Sequence, residues 1–146
     1  MTRATASAAL ACALLLAAAA HAKDTGKVFV SSEKDSALTV IDAKTLTVSG
    51  VIKTCKRPRH MKLIENASKR MVACSDSSKA DIIDVASGKS VARIPFGEEP
   101  EAFDLSPDGK TAYLSAEDEG ALTVVDATTG KELKSIPVGK EPEGVL

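Results

Sequence analysis

Three short loops of this 146-residue chain gather the side chains that could do chemistry. The first carries Arg57, Arg59 and His60, the second Glu98, Glu99 and Glu101, and the third Glu141 and Glu143. Each loop contains a proline, and Pro58, Pro100 and Pro142 are spaced 42 residues apart. Charged groups that converge on one concave mouth suit the capture of a charged small molecule or a partner's loop. The competing reading is a set of solvated loop charges, with Arg59 and Glu101 pairing across neighbouring repeats for about 0–1 kcal/mol. Two carboxylates such as Glu101 and Glu143 have the composition of an acid–base pair, yet no nucleophile with an orienting partner accompanies them. His60 is the only histidine beyond residue 22. With no second ligand at metal-binding spacing, a structural role outweighs metal binding or general-base work. No catalytic residue and no metal ligand is assigned.

The prolines are one of three series that share a period. Asp42, Asp84 and Asp126 each follow a short apolar run 42 residues apart, and Ile52, Ile94 and Ile136 keep the same phase. A fixed period in the 40s is the mark of a propeller or solenoid, in which each repeat packs only on its neighbours. Residues that recur in every repeat build the repeat. The three aspartates are expected to end a strand and accept hydrogen bonds from the turn that follows, and the three prolines to interrupt ladder pairing and favour loops. Residues unique to one repeat are where a site is sought. Cys55 takes the slot of Gly97 and Gly139, and Cys74 that of Ser32 and Ala116, so neither recurs. Their spacing is neither C-x-x-C nor a zinc pattern, which leaves a disulfide and a pair of thiols both open.

Between these markers run short segments rich in β-branched residues. Residues 27–32, 36–42 and 47–54 read as strands, then 56–59 as a loop and 60–64 as the next strand. The second unit repeats this at 69–75, 80–85 and 90–96, and the third at 102–105, 113–116, 121–125 and 132–138. Ser106-Pro107-Asp108-Gly109 is a turn with a mechanism, since proline presets φ and glycine tolerates positive φ. No stretch keeps a helical period. The expected fold is all-β, a β-propeller of four-stranded antiparallel blades with a 42-residue repeat. Blade 1 (residues 27–55) lacks its first strand, blades 2 (56–97) and 3 (98–139) are complete, and 140–146 begin a fourth, with 144–146 inside a strand. A ring needs about 4 to 8 blades, so the chain reads as an N-terminal fragment whose open edges are an aggregation hazard. In a propeller the first strand of each blade lines the central channel, which brings the three charged loops to the channel mouth.

Residues 1–22 read as a signal peptide, with Arg3, an apolar run over 8–20 and the small-residue pattern Ala20-His21-Ala22. The run is short for a membrane span, which takes about 20 apolar residues. A lipidated Cys12 is the weaker alternative, because cleavage there would leave an apolar tail on the mature chain. The mature protein is expected to begin at Lys23, to be exported, and to keep no membrane span. It carries 18 basic and 20 acidic residues. From Lys23 to Ser75 there are 11 basic and 5 acidic, and from Asp76 onward 7 and 15. Side-by-side repeats would give one positive and one negative sector, either solvated loops or a charge-guided docking surface. Net acidity argues against nucleic acid. With no tryptophan, only Tyr113 and three phenylalanines, stacking platforms for bases or a quinone are absent.

The segments Phe29-Val30-Ser31-Ser32, Met71-Val72-Ala73-Cys74 and Tyr113-Leu114-Ser115-Ala116 resemble the tyrosine-valine-threonine-asparagine motif of the YVTN β-propeller repeats. The phrases from Leu105 to Thr111 and from Val124 to Lys131 are similar to that family as well. The loops Arg57-Pro58-Arg59, Glu99-Pro100-Glu101 and Glu141-Pro142-Glu143-Gly144 resemble, in their order, the periplasmic propellers associated with PQQ-dependent catabolism. Asn66-Ala67-Ser68 departs from the usual Pro-Asp-Gly turn. The resemblance implies seven blades and a periplasmic binding or scaffold protein of quinoprotein-linked alcohol oxidation. It implies a quinoprotein dehydrogenase or a cytochrome as partner, with PQQ or haem entering only by family association. Related propellers include lactone hydrolases and haem-binding domains, so an enzymatic or cofactor-binding role is the alternative, and a nucleic-acid or adhesion module the third.

Overall fold

Short runs of β-branched residues separated by polar turns fold residues 25–146, the part of the chain that the computed structural model describes, into eleven strands. They form three antiparallel sheets. The first has three strands, β1 (Lys27–Ser32), β2 (Ala37–Asp42) and β3 (Val48–Lys53). The second has four, β4 (Pro58–Ile64), β5 (Lys69–Cys74), β6 (Lys79–Asp84) and β7 (Lys89–Pro95). The third repeats it as β8 (Pro100–Leu105), β9 (Thr111–Ala116), β10 (Ala121–Asp126) and β11 (Glu132–Pro137). One 3-10 turn, Ser75–Ser77, joins β5 to β6. The expectations for residues 1–24, including the cleavage site and Cys12, lie outside the described residues.

The period survives in the hydrogen-bond register. Ser32 faces Ala37, Cys74 faces Lys79 and Ala116 faces Ala121, each pair displaced by 42 residues. A bulge recurs at Val40/Ile41, Ile82/Ile83 and Val124/Val125, just before the aspartate that ends the strand. Bulges bend a strand and raise its local twist, so their recurrence gives every sheet the same curvature.

Two expectations are corrected. The prolines at 58 and 100 do not lie in loops; each is the buried first residue of an inner strand, paired with Cys74 and Ala116 respectively. A bulge follows at once, between Pro58 and Met61 and between Pro100 and Phe103. The first position of a strand and a bulge are the places where a sheet tolerates a residue without an N–H. Residues 144–146 are not in a strand. A strand needs a neighbour to bond, and β11, on the outer edge of its sheet, is the last strand described.

The sheets stack face to face. Leu38, Val72, Cys74 and Ile83 pack with Phe29, Ile52 and Met61 between the first and second sheets. Arg70 adds its guanidinium 4.0 Å from the centre of the Phe29 ring. Between the second and third, Met71, Ile82, Phe96, Phe103 and Leu114 form the larger core, with Phe96 edge-on to Phe103 at 5.1 Å. Burying a side chain of this size contributes about 1.5–3 kcal/mol. The two outer faces of the stack stay open, with Val28 and Val30 46 and 47 % exposed on one and Tyr113 36 % on the other.

Candidate functional site

In the second and third sheets the first strand starts, and the second ends, at one rim of the stack, and β1 of the first sheet ends there too. Arg57 stands just before β4, in left-handed backbone at φ 52°, as Glu99 and Glu141 do before the next two prolines at 39° and 51°. Its carbonyl accepts a hydrogen bond from the Ser75 amide at 3.0 Å, which ties the entering loop to the 3-10 turn of its own sheet. The Lys56 amide donates to Ser77 Oγ at 3.0 Å in the same way.

From that frame the side chains assemble a charged cluster. Arg59 bridges two sheets, bonding Glu33 Oε1 of the first at 2.6 Å and Glu101 Oε2 of the third. Arg57 lies 3.6 Å from Glu33, 3.6 Å from Asp76 and 3.7 Å from Glu101. The Ser75 hydroxyl donates to Glu101 Oε1 at 2.9 Å. The Glu101 side chain is only 2 % exposed, whereas the two arginines are about 30 % exposed. Burial opposes the charge of Arg57, yet Glu101, Glu33 and Asp76 outweigh it and hold the guanidinium above its ordinary pKa. The Arg59–Glu101 pair is therefore not the weak surface contact that spacing alone suggests. Removing one partner of a buried pair leaves an uncompensated charge and costs about 3–5 kcal/mol.

The remaining predicted carboxylates do not join this network. Glu99 is half-buried and Glu141 and Glu143 are exposed, and none of the three forms an ion pair among the described residues. Glu141 instead lines a cleft of about 490 Å³ with Glu117, Asp118, Glu119 and Lys140. Loss of hydration and the nearby charge of Glu101 push the Glu117 carboxyl above its ordinary pKa.

His60 is a tether between sheets. The bulge in β8 frees backbone amides, and His60 Nδ1 accepts from the Phe103 amide at 3.2 Å while Ser115 Oγ accepts from Ala102 at 3.1 Å. The imidazole lies edge-on to the Phe103 ring at 5.1 Å. Burial, and then the charge of Lys62, push its pKa below the ordinary value. With one nitrogen spent on the Phe103 amide, the ring is placed to hold strands together. Two residues along, Lys62 donates to Asp104 at 2.5 Å, joining β4 to β8 again.

Cys55 and Cys74 form a disulfide with Cα atoms 5.8 Å apart. Asp42, Asp84 and Asp126 each accept from the turn that follows: from Thr45 N at 2.8 Å, Ser87 N at 2.7 Å and Thr129 N at 2.7 Å. Pro142, half-buried, follows Glu141 outside any strand.

Four residues escape a reading by loop charge. Glu33, Ser75 and Glu117 occupy one slot of the repeat, 42 residues apart, at the end of the second strand. The slot is legible as a series, but nothing in it shows that it faces Arg59 and Glu101. Asp81 is the fourth. It is fully buried in β6 and accepts from Thr54 Oγ1 at 2.7 Å and Ser90 Oγ at 2.5 Å, with Arg93 3.4 Å away. Its signal is a carboxylate where the other repeats carry Thr39 and Thr123. Among the described residues no group of three or more His, Cys, Asp or Glu is arranged to hold a metal ion.

No protein-family model matches the sequence, and no curated protein matches it. Solved structures do match in fold. Hydrazine synthase of Kuenenia stuttgartiensis superposes with a TM-score of 0.69 and 24% identity, over 81% of this chain and 34% of that one. The dihydro-heme d1 dehydrogenase NirN, in complex with DHE, gives 0.61 and 18%, over 83% and 27%. A functionally unknown protein from Desulfotomaculum acetoxidans DSM 771 gives 0.65 and 15%, over 81% and 42%. The chain thus spans between about a quarter and two-fifths of these proteins. Its sheets have the arrangement of β-propeller blades.

Proposed function

We propose that the chain is part of an exported, non-catalytic β-propeller that binds or scaffolds a partner in quinoprotein-linked alcohol oxidation. The supporting observation is the cluster of Arg57, Arg59, Glu33, Asp76 and Glu101 at the rim. Its groups are fixed by one another across three sheets, which is the preorganisation that recognition of a charged partner surface requires. Of the groups weighed for acid–base work, Glu101 is engaged by Ser75 and Arg59 and His60 Nδ1 accepts from the Phe103 amide, while Glu143 lies exposed and apart from both. The quinoprotein context comes from the resemblance of the proline loops to the PQQ-associated propellers. The expected partner is a periplasmic dehydrogenase or its cytochrome, and PQQ or haem would belong to that partner.

The test is capture of partners from periplasm by the full-length gene product, followed by an absorption spectrum of the eluate. A colourless propeller that retains a dehydrogenase or cytochrome is the expected result. A chromophore bound to the propeller itself, with no partner retained, would overturn the scaffold reading in favour of a cofactor-binding one. Salt-sensitive retention on DNA would overturn it in favour of a nucleic-acid module.

A further inference from the structure

We infer that the Cys55–Cys74 bridge is the positioning element of the arginine cluster, so that the rim site is formed only in the oxidised protein. The inference rests on the binding role proposed for that rim.

The bridge lies directly beneath the cluster. Cys55 is two residues before Arg57, and Cys74 immediately precedes Ser75 and Asp76. The bond therefore clamps the loop that carries the arginines to the turn that carries two of the groups engaging the cluster. Arg57 pairs with Asp76 and Ser75 bonds Glu101. Two backbone contacts run alongside it, Ser75 N to Arg57 O at 3.0 Å and Lys56 N to Ser77 Oγ at 3.0 Å. Both sulfurs belong to well-buried residues. Thr54 Oγ1 lies 3.8 and 3.9 Å from them and donates to the buried Asp81 at 2.7 Å.

The next junction shows what the bridge replaces. There the equivalent residues are Gly97 and Ala116. Gly97 packs against the side chains of Leu114 and Thr123, and no covalent tie joins that loop to its turn. At the first junction the loop must also hold Arg57 and Arg59, two like charges, at one rim, whereas the corresponding loop of the next repeat carries Glu99 and Glu101. A covalent tie removes the open alternatives of that loop where packing alone does not.

Reduction by a dithiol breaks the S–S bond, adds two electrons and two protons, and leaves two thiols while the reagent closes to its own disulfide. The experiment compares tryptic cleavage after Lys56 and Arg59 with cleavage after Lys131 in the full-length protein. It is run oxidised, then reduced with dithiothreitol, then on the Cys55→Ser/Cys74→Ser double variant, which needs no reagent to reach the bond. Circular dichroism is followed throughout. The expected result is a rise of about tenfold or more in the ratio for reduced protein and variant, with the sheet signal retained, as for a local opening. An unchanged ratio would overturn the inference. Loss of the whole sheet signal would overturn it too, because the bridge would then staple the fold and not the loop. Neither outcome depends on the partner, so failure here is separable from failure of the scaffold role.

Discussion

At the scale of single residues, position in the repeat predicts role poorly unless the opposing slot is known. Arg59 and Glu101 are visible as a candidate pair from sequence because both flank the repeated proline. Glu33 and Ser75, which complete the cluster, are ordinary turn residues until the fold sets one repeat's turn against the next repeat's inner strand. Asp81 was legible only as a charge in an apolar strand. His60 shows the reverse case, a residue that looks chemical and is structural. Its proton affinity is depressed by burial and by Lys62. Between its ordinary value of 6.5 and its lower folded value, the unfolded chain therefore binds more protons than the native one. Its stabilising contribution is fully present above pH 6.5 and is lost as pH falls through the folded value. The denaturation midpoint should therefore decline from about pH 7.5 to 5.5, and His60→Gln should flatten that decline. Glu117, whose carboxyl is raised, acts in the opposite sense toward lower pH, which is why the difference between wild type and variant is the quantity to follow. An identical slope in both proteins would remove His60 as its source.

At the scale of elements, the strands were legible because the 42-residue period fixes three copies of each boundary. The inner strands were the exception. Reading proline as a ladder breaker is sound in the middle of a strand, and it fails for Pro58 and Pro100 because each stands at a strand's first position beside a bulge. Turns were legible in type but not in what they touch. Gly109 and Gly130 share nearly the same left-handed backbone, φ 70° and 72°, and look alike in sequence. A Cβ on Gly109 meets nothing within 4 Å, whereas one on Gly130 would lie 2.0 Å from the Pro95 carbonyl of the preceding sheet. Gly109→Ala should thus cost about 1–2 kcal/mol, the backbone penalty alone. Gly130→Ala should cost more, at least about 3 kcal/mol, because the turn must leave β7. Urea denaturation of the two variants checks this, and equal losses would show that the turn does not bear on its neighbour.

At the scale of the whole molecule, the sheets bury their apolar faces only against the next sheet in sequence order. The two cores differ in size, and no core residue links the first sheet to the third. The link between those sheets is ionic: Arg59 pairs with Glu33 on one side and Glu101 on the other, and Arg57 lies 3.6 Å from Glu33 and 3.7 Å from Glu101. Stability should accordingly be a sum of sheet and nearest-neighbour terms. Phe103 makes a sharp test, because it is fully buried in the second core against Phe96 and His60 and has no part in the first. Phe103→Ala removes about 3–5 kcal/mol of packing. In a row of nearest neighbours that loss falls on β8–β11 and on the faces of β4–β7 turned toward them. Native-state hydrogen exchange should then show protection lost in β8–β11 while β2 and β3 keep theirs. The disulfide and the Phe29, Val72 and Ile83 core hold the first junction independently of Phe103. A uniform drop across all three sheets would mean that the ionic cluster at the rim, and not the apolar cores, makes the molecule cooperative. The arginines would then be fold-determining as well as available for binding.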